Sequence, residues 1–143
     1  MKMLITGSSG FIGRTLVKNI EGIPCDISSS DTKPNCDVTN VDDIINSSKD
    51  CDGIIHLAAL SRVADCESEP QICIDINING TKKVLDAAII AGINKIVFAS
   101  SSEVYGEPLN HRFSASDTAP LPSRRSTSSA AIRTSRFKRR GAL

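Results

Sequence analysis

Hydroxyl and carboxylate side chains are concentrated in residues 100–106, whose sequence is SSSEVYG. They follow the apolar run 95–99 (KIVFA), which is typical of a buried strand. Serine hydroxyls at the end of a strand can hydrogen-bond a reacting hydroxyl group, and a nearby carboxylate can take or give a proton. Residues 100–103 are therefore candidates for hydrogen-bonding or acid–base chemistry, provided that the rest of the chain brings a ligand beside them.

A second concentration of unusual residue types is the glycine-rich stretch 6–13, TGSSGFIG. It lies between the apolar run 3–5 and a helical apolar stripe, which is the context in which such a motif carries meaning. Gly7 allows a sharp turn, Gly10 leaves room beside the backbone, and Gly13 allows close packing of helix against strand. Since the free N–H groups of a helix N-terminus attract phosphate, this stretch predicts a site for the pyrophosphate of a dinucleotide.

Asp26 lies about 20 residues after the first glycine of this motif, near the end of a weak second strand. A carboxylate there accepts hydrogen bonds from ribose hydroxyls and repels a 2′-phosphate, which favours NAD over NADP. A solvated loop position is the alternative for Asp26, because residues 21–36 are irregular and rich in turn-forming residue types. Arg14 would either neutralise a phosphate or lie on the exposed face of the first helix.

The elements that must position these residues alternate between strand and helix. Strands are predicted over 3–5, 23–26, 53–57 and 96–99, and helices over 11–20, 41–47 and 70–91. Continuous apolar strands between helices indicate an α/β protein with a parallel sheet covered on both faces. Thr39-Asn40 is expected to cap the second helix, and Gly92 is expected just beyond the third. The predicted apolar stripes are Phe11, Ile12, Leu16, Val17 and Ile20 on the first helix, and Ile74, Ile78, Val84, Leu85, Ala88 and Ile89 on the third.

Charge divides the chain into two parts. Of its 17 basic residues, seven follow Ser123, whereas all 16 acidic residues precede it. Residues 1–123 are therefore expected to form the domain, and the Arg/Ser-rich residues 124–143 a disordered basic tail. Nucleic-acid binding by this tail is disfavoured, because Phe137 is its one aromatic residue.

The five cysteines are an odd number without a C-x-x-C pair or the spacing of a metal site. We expect reduced thiols in a cytoplasmic protein, with no metal. A membrane partner is not expected either, because no apolar segment reaches the roughly 18 residues that a membrane-spanning helix needs.

Five motifs in order resemble one known family. Beyond the two stretches above they are Asp37-Val38, residues 56–59 (HLAA) and residues 77–81 (NINGT). Together they are similar to the extended short-chain dehydrogenase/reductase family, and within it to the NAD-dependent nucleotide-sugar epimerases and dehydratases of the UDP-glucose 4-epimerase type. The resemblance implies a Rossmann-type doubly wound parallel sheet that binds NAD, here incomplete at its C-terminus.

The same resemblance implies roles for individual residues in holding NAD. The pyrophosphate would lie against the glycine loop, Asp37 would accept from the adenine amine, and residues 57–59 would line the cofactor channel. Asn77 would steady the loops around the cofactor, whereas His56 is expected only to pack. The cofactor-binding residues are thus Gly7, Gly10, Phe11, Ile12, Gly13, Asp26, Asp37, Val38, Leu57, Ala58, Ala59, Asn77 and Ser100.

The catalytic residues implied by the resemblance are Ser101 and Glu103. Ser101 would hydrogen-bond the sugar hydroxyl that is oxidised. Ser102 and Glu103 stand where the family's 4,6-dehydratases carry an Asp-Glu pair for eliminating water, so the serine favours an epimerase or a decarboxylase-like relative. Tyr105 belongs to the V-Y-G signature and would not be the base.

The family's base is a Tyr-x-x-x-Lys pair, expected roughly 20 residues after Tyr105. Residues 124–143 contain no tyrosine, and Thr134 lies four positions before their one lysine, Lys138. We therefore expect a truncated family member whose last 20 residues are an out-of-frame or substituted continuation, with a natural basic tail as the alternative.

Three functions follow from this reading of the sequence. The first is NAD-dependent UDP-sugar 4-epimerisation, by reversible hydride transfer, or another nucleotide-sugar reaction. The second is a dinucleotide-binding fragment without catalysis, and the third is an interaction protein acting through its basic tail. A nucleotide sugar is the expected partner, and a homodimer is left open.

Overall fold

Four short parallel strands form the sheet in the computed structural model, which describes residues 1–27 and 36–101. The strands are β1 (Met3–Thr6), β2 (Gly22–Cys25), β3 (Gly53–His56) and β4 (Ile96–Phe98). Their order across the sheet is β2-β1-β3-β4, so the chain crosses back over β1 after β2. This is the doubly wound parallel arrangement predicted from the alternation of strands and helices.

The helices connect these strands and agree closely with the predicted spans. They are α1 (Phe11–Asn19), α2 (Val41–Ser47), α3 (Val63–Ser68), α4 (Pro70–Ile74) and α5 (Thr81–Ile90), with the π-helical turn Asp75–Gly80 between the last two. The short helix α3 was not predicted, because it has no buried residue and therefore no apolar stripe. The three longer predicted helices are confirmed.

Two helix ends show the predicted capping. The Asn40 side chain accepts a hydrogen bond from the Asp42 N–H at 3.1 Å, which satisfies a free donor at the start of α2. Gly92 has φ +71°, and the N–H groups of Gly92 and Ile93 donate back to α5 at 3.2 and 2.8 Å. The left-handed glycine therefore ends α5 in a Schellman motif.

The core lies where the sheet meets α2 and α5. Leu4 and Ile54 pair in register on adjacent strands, and both are fully buried. The same cluster contains Cys25, Cys36, Val38, Ile44, Val84, Ala87 and Ala88. Because β1 is buried along its whole length, the middle of the sheet is the best-protected part of the described chain.

The apolar stripe predicted for the long helix is partly wrong. Val84 and Ala88 are buried as expected, but Ile78 and Ile89 are 47% and 69% exposed. The π-helical turn adds a residue to one turn of the helix and so rotates everything before it relative to α5. A repeat of 3.6 residues therefore cannot be carried through this turn.

The stripe predicted for α1 is also less buried than expected. Phe11 is 94% exposed and Ile12 is 56% exposed, whereas Gly13 is the one fully buried residue of this helix. Glycine has no side chain, so the backbone of α1 packs at this position against Gly7 and Ser8, which follow β1. Phe11 and Ile12 are not part of the core of the described residues.

The expectation of reduced thiols is wrong for four of the five cysteines. Disulfides join Cys25 to Cys36 and Cys66 to Cys73, with Cα–Cα distances of 4.9 and 5.1 Å. Cys51 is free and half-buried. Sequence spacing did not reveal the first pair, because the two cysteines are brought together by the return of the chain to the end of β2.

Truncating a core side chain tests this description of the sheet. Ile54→Ala is expected to lower the free energy of unfolding by about 2–5 kcal/mol, because it leaves a cavity at a fully buried position between β1 and the helices. Ile89→Ala, on the exposed side of α5, is the matched control and should change stability by less than about 0.5 kcal/mol. Urea unfolding followed by circular dichroism measures both, and equal losses in the two variants would contradict this placement of the core.

Candidate functional site

The glycine-rich loop connects β1 to α1 and lies directly against the end of β3. Gly7 has φ +70°, and a Cβ atom at this position would lie 2.7 Å from the backbone nitrogen of Ala58. At Gly13 an added Cβ would overlap the carbonyl oxygen of Gly7. Both positions thus require glycine for steric reasons, and the loop closes into a tight turn under the N-terminus of α1.

Asp26 directly follows β2 and faces this loop. Its Oδ2 accepts a hydrogen bond from the backbone N–H of Ser9 at 3.0 Å. Arg14 lies on the exposed side of α1, where its Nε donates to the carbonyl oxygen of Ser9. The carboxylate is therefore held beside the glycine loop, whereas the guanidinium group is bound to the loop's outer edge.

Asp37 and Val38 follow Cys36 near the start of the second described segment, beside the end of β2. Asp37 Oδ1 accepts from the Thr39 N–H at 2.7 Å, and the Asp37 N–H donates to Asp43 Oδ2 at 3.2 Å. Val38 is buried and packs against Gly80 at the end of the π-helical turn. These contacts fix the backbone of residues 37–38 between β2 and α5.

These segments enclose a cavity of about 560 Å³ at the carboxyl ends of the strands. The volume lies within the range of small-molecule sites. Its lining contains eleven of the predicted cofactor-binding residues: Gly7, Gly10, Phe11, Ile12, Gly13, Asp26, Asp37, Val38, Leu57, Ala58 and Ala59. It also contains Ser9, Cys25, Ile27, Cys36, Leu60, Ser61, Ile76 and Ala99, which the sequence analysis did not select.

Asn77 does not line this cavity but holds a residue that does. Its Oδ1 accepts from the Leu60 N–H at 2.8 Å, and its Nδ2 donates to the Leu60 carbonyl at 3.0 Å. The side-chain amide thereby makes the two hydrogen bonds that the backbone of a neighbouring strand would make to the loop after β3. Asn79, by contrast, donates to Asp75 on the exposed side of the helix.

A buried hydrogen-bond chain links β1, β3 and α5 beneath the cavity. His56 Nδ1 lies 2.7 Å from Thr6 Oγ1, and His56 Nε2 lies 3.0 Å from Thr81 Oγ1. The Thr81 hydroxyl donates its hydrogen to the carbonyl of Asn77 at 2.7 Å. It must therefore accept from His56, which assigns the proton of the neutral imidazole to Nε2.

The direction of the hydrogen bond between Thr6 and His56, at the other end of this series, is also determined. Thr6 Oγ1 accepts from the N–H groups of Leu57 and Ala58 at 3.2 and 3.3 Å, so its own hydrogen goes to His56 Nδ1. A proton on Nδ1 would leave two donors facing each other in a buried site. Burial lowers the pKa of His56 to about 4. From its sequence position this histidine is expected only to pack, because its two threonine partners lie 50 and 25 residues away.

The predicted catalytic stretch begins just beyond β4. The Ala99 N–H donates to the carbonyl of His56 at 3.2 Å, so the chain stays beside β3 as it reaches the cavity. Ser100 is exposed and Ser101 is half-buried, and neither lines the cavity. Glu103, with Ser102, Tyr105 and the basic tail, lies outside the described residues.

Within residues 1–27 and 36–101, no helix combines the length and the apolar character needed to cross a membrane. The same residues contain no group of three or more potential metal ligands.

The fold and the cavity together define a Rossmann-type dinucleotide-binding protein. A glycine loop at a helix N-terminus and an acidic residue after the second strand meet at the carboxyl ends of parallel strands. Residues 3–131 match the NAD dependent epimerase/dehydratase family, and the chain belongs to this family. The match continues past residue 123, where the basic tail was predicted to begin.

Individual relatives agree with this assignment. A UDP-glucose 4-epimerase from Streptomyces lividans is 26% identical over 124 residues, which are 75% of this chain and 38% of that protein. MoeE5 in complex with UDP-glucose and NAD has a TM-score of 0.69 at 26% identity, over 76% of this chain and 39% of that one. DesIV, a dTDP-glucose 4,6-dehydratase from Streptomyces venezuelae with NAD bound, has a TM-score of 0.71 at 26% identity, over 85% and 45%. The chain thus spans about two fifths of the curated relatives' length.

The buried histidine predicts how stability depends on pH. Its pKa is about 4 in the folded chain and near 6.5 when unfolded, so the unfolded state binds more protons between these values. Stability should therefore fall as the pH decreases from 6.5 toward 4, by about 2 kcal/mol between pH 7 and pH 5. Urea unfolding at the two pH values measures this loss.

Two variants separate His56 from other titrating groups. His56→Asn should remove most of the loss between pH 7 and pH 5, whereas His111→Asn, at the other histidine of the sequence, should retain it. An equal loss in wild type and His56→Asn would show that the buried hydrogen-bond chain does not control this dependence.

Proposed function

We propose that the chain binds NAD in the cavity at the carboxyl ends of its strands, as the cofactor-binding portion of a UDP-sugar 4-epimerase. The observation that carries this proposal is that the glycine loop, Asp26, Asp37 and the segment after β3 all line one cavity. Among residues 1–27 and 36–101, a Cβ added at Gly10 would contact only the carbonyl oxygen of Gly7, at 3.1 Å, which leaves room for a ligand on this side of the described loop. A pyrophosphate fits there, beside the N-terminus of α1.

Two carboxylates at the proposed adenosine end of the cavity favour NAD over NADP. Asp26 accepts a hydrogen bond from the Ser9 N–H, which orients its carboxylate beside the glycine loop, and it would accept from a ribose diol. Asp37 is oriented by Thr39 in the same way and would accept from the adenine amine. Negative charge beside the ribose opposes a 2′-phosphate, so NAD is favoured over NADP.

The side chains after β4 would act on the sugar. NAD supplies the hydride acceptor and donor when bound. Ser101 would hydrogen-bond the hydroxyl at the reacting carbon and hold it toward the cavity, and Glu103 would exchange a proton. The UDP-glucose 4-epimerase relatives and the serine at position 102 support epimerisation, whereas the similarity to DesIV supports a dehydratase as the second candidate. A nucleotide sugar as partner, a cytoplasmic location and a homodimer remain predictions within this proposal.

Catalysis would also need a general base for the hydroxyl of the sugar. The family's Tyr-x-x-x-Lys pair has no counterpart in the sequence, whose one tyrosine, Tyr105, is followed four positions later by leucine. We propose that the chain as written binds NAD without turning over a nucleotide sugar at the family's usual rate.

Changing Asp26 tests the cofactor site. Asp26→Asn keeps an acceptor for Ser9 but removes the charge beside the ribose, so NAD should bind about tenfold more weakly, as expected for losing a charge-assisted hydrogen bond. The preference for NAD over NADP should narrow at the same time. Isothermal titration calorimetry with each nucleotide measures both effects.

The matched control carries the same change of charge outside the cavity. Asp86→Asn on α5 removes a carboxylate that binds Lys82 at the surface, so the affinity for NAD should stay within about twofold of wild type. Binding of NAD by the Asp26 variant at wild-type affinity would remove this residue from the site. Failure of the wild-type chain to bind NAD would contradict the proposed function itself.

Turnover distinguishes an enzyme from a binding fragment. The purified chain, saturated with NAD and supplied with UDP-galactose, is expected to form no UDP-glucose above the background of a no-protein control, because the tyrosine base is missing. Coupled detection of UDP-glucose by a UDP-glucose dehydrogenase follows the reaction. Epimerisation at an ordinary enzymatic rate, on the order of 1–10³ per second, would show that another group serves as the base.

A further inference from the structure

The two carboxylates at the adenosine end each follow one cysteine of the same disulfide. Cys25 ends β2 and precedes Asp26, whereas Cys36 precedes Asp37. Their Cα atoms are 4.9 Å apart, and both cysteines line the cavity. The bridge therefore connects the backbones that carry the two side chains expected to hold adenosine.

A backbone hydrogen bond accompanies the disulfide between these two segments. The Cys36 N–H donates to the carbonyl of Asp26 at 3.2 Å. The segment is also held by the burial of Val38 and by the contacts of Asp37 with Thr39 and Asp43. The covalent bond is thus one constraint on the distance between Asp26 and Asp37.

We propose that Cys25 and Cys36 form a reversible thiol–disulfide site that sets the affinity of the cavity for a dinucleotide. The proposal rests on NAD binding at this cavity, as proposed above. The disulfide form holds both carboxylates in the arrangement described here and binds NAD tightly. The dithiol form lets the segment that begins at Cys36 move away from β2, and binds NAD more weakly.

The chemical step is an ordinary exchange between thiols and a disulfide. A dithiol reductant attacks one sulfur of the bridge, the sulfur–sulfur bond breaks, and the second thiol of the reductant closes to a cyclic disulfide. Two electrons and two protons pass to the protein, which gains two S–H groups. A small-molecule disulfide reverses the step, accepting two electrons and two protons and leaving as two thiols.

Burial makes this exchange depend on the ligand. The exposed fractions of Cys25 and Cys36 are 0% and 1%, so a reductant reaches the bridge only when the segment opens. A dinucleotide that contacts both carboxylates opposes this opening. Because binding and reduction are linked, NAD must make the bridge harder to reduce by the same factor by which the bridge tightens NAD binding.

The other cysteines provide an internal comparison. Cys66 and Cys73 join α3 to α4 and do not line the cavity. Cys51 is free, and burial raises the pKa of its thiol, which disfavours the reactive thiolate. Any effect of NAD on redox chemistry should therefore be specific to Cys25 and Cys36.

The experiment measures redox equilibrium and affinity on the intact chain. The protein is equilibrated in buffers of reduced and oxidised dithiothreitol, with and without saturating NAD, then alkylated and mapped by mass spectrometry. We expect an NAD affinity about tenfold higher for the oxidised form, as is reasonable for preorganising two binding groups. Saturating NAD should then lower the midpoint potential of Cys25–Cys36 by about 30 mV, which is a tenfold change for a two-electron couple.

Variants link the effect to this bridge. The double variant Cys25→Ser/Cys36→Ser should bind NAD like the reduced wild type and should not respond to dithiothreitol. The double variant Cys66→Ser/Cys73→Ser should retain the tenfold response. If the first variant does not fold, the midpoint shift in the wild-type chain decides the matter, with circular dichroism confirming that the reduced chain keeps its secondary structure.

Each outcome has a distinct meaning. NAD that binds both redox forms equally, or shifts the midpoints of both disulfides equally, would overturn the redox proposal while leaving the cofactor site intact. A reduced chain that loses its secondary structure would overturn it too, since the bridge would then be purely structural. Absence of NAD binding in both forms would instead refute the proposed function.

Discussion

The hydroxyl of Thr6 is the point on which the described site depends. It accepts the N–H groups of Leu57 and Ala58 and donates to His56, which in turn donates to Thr81 on α5. One side chain thereby ties the carboxyl ends of β1 and β3 to the long helix. Because Gly7 follows Thr6 directly and passes against Ala58, the shape of the glycine loop is set by this junction.

The position of the cavity follows from the same constraint. Side chains at the carboxyl ends of parallel strands converge at one edge, and the loops after β1, β2 and β3 all contribute to the lining. The core beneath it is aliphatic and built from α2, α5 and the central strands. This core, the Cys25–Cys36 bridge and the Thr6 junction together bring Asp26, Asp37 and the glycine loop to one cavity.

Local sequence patterns predicted most of this architecture. Strand and helix spans, the Asn40 cap and the Gly92 helix end depend on neighbouring residues, and all are confirmed. The apolar stripes of α1 and of the helix before α5 were wrong in part. Phe11 is exposed at the start of α1, which packs through Gly13 against the glycine loop, and Ile78 is exposed within the π-helical turn, which changes the helical phase.

The sequence by itself determined the family, the order of the elements and the residues of the glycine loop, since each depends on residue types at short spacings. Only the tertiary structure decided that the side-chain amide of Asn77 hydrogen-bonds the backbone of Leu60, and that Cys25 pairs with Cys36. It also decided that the imidazole of His56 is neutral. The physical reason is common to all three: each depends on a partner that folding brings within a few ångströms from elsewhere in the chain, and no local pattern specifies that partner.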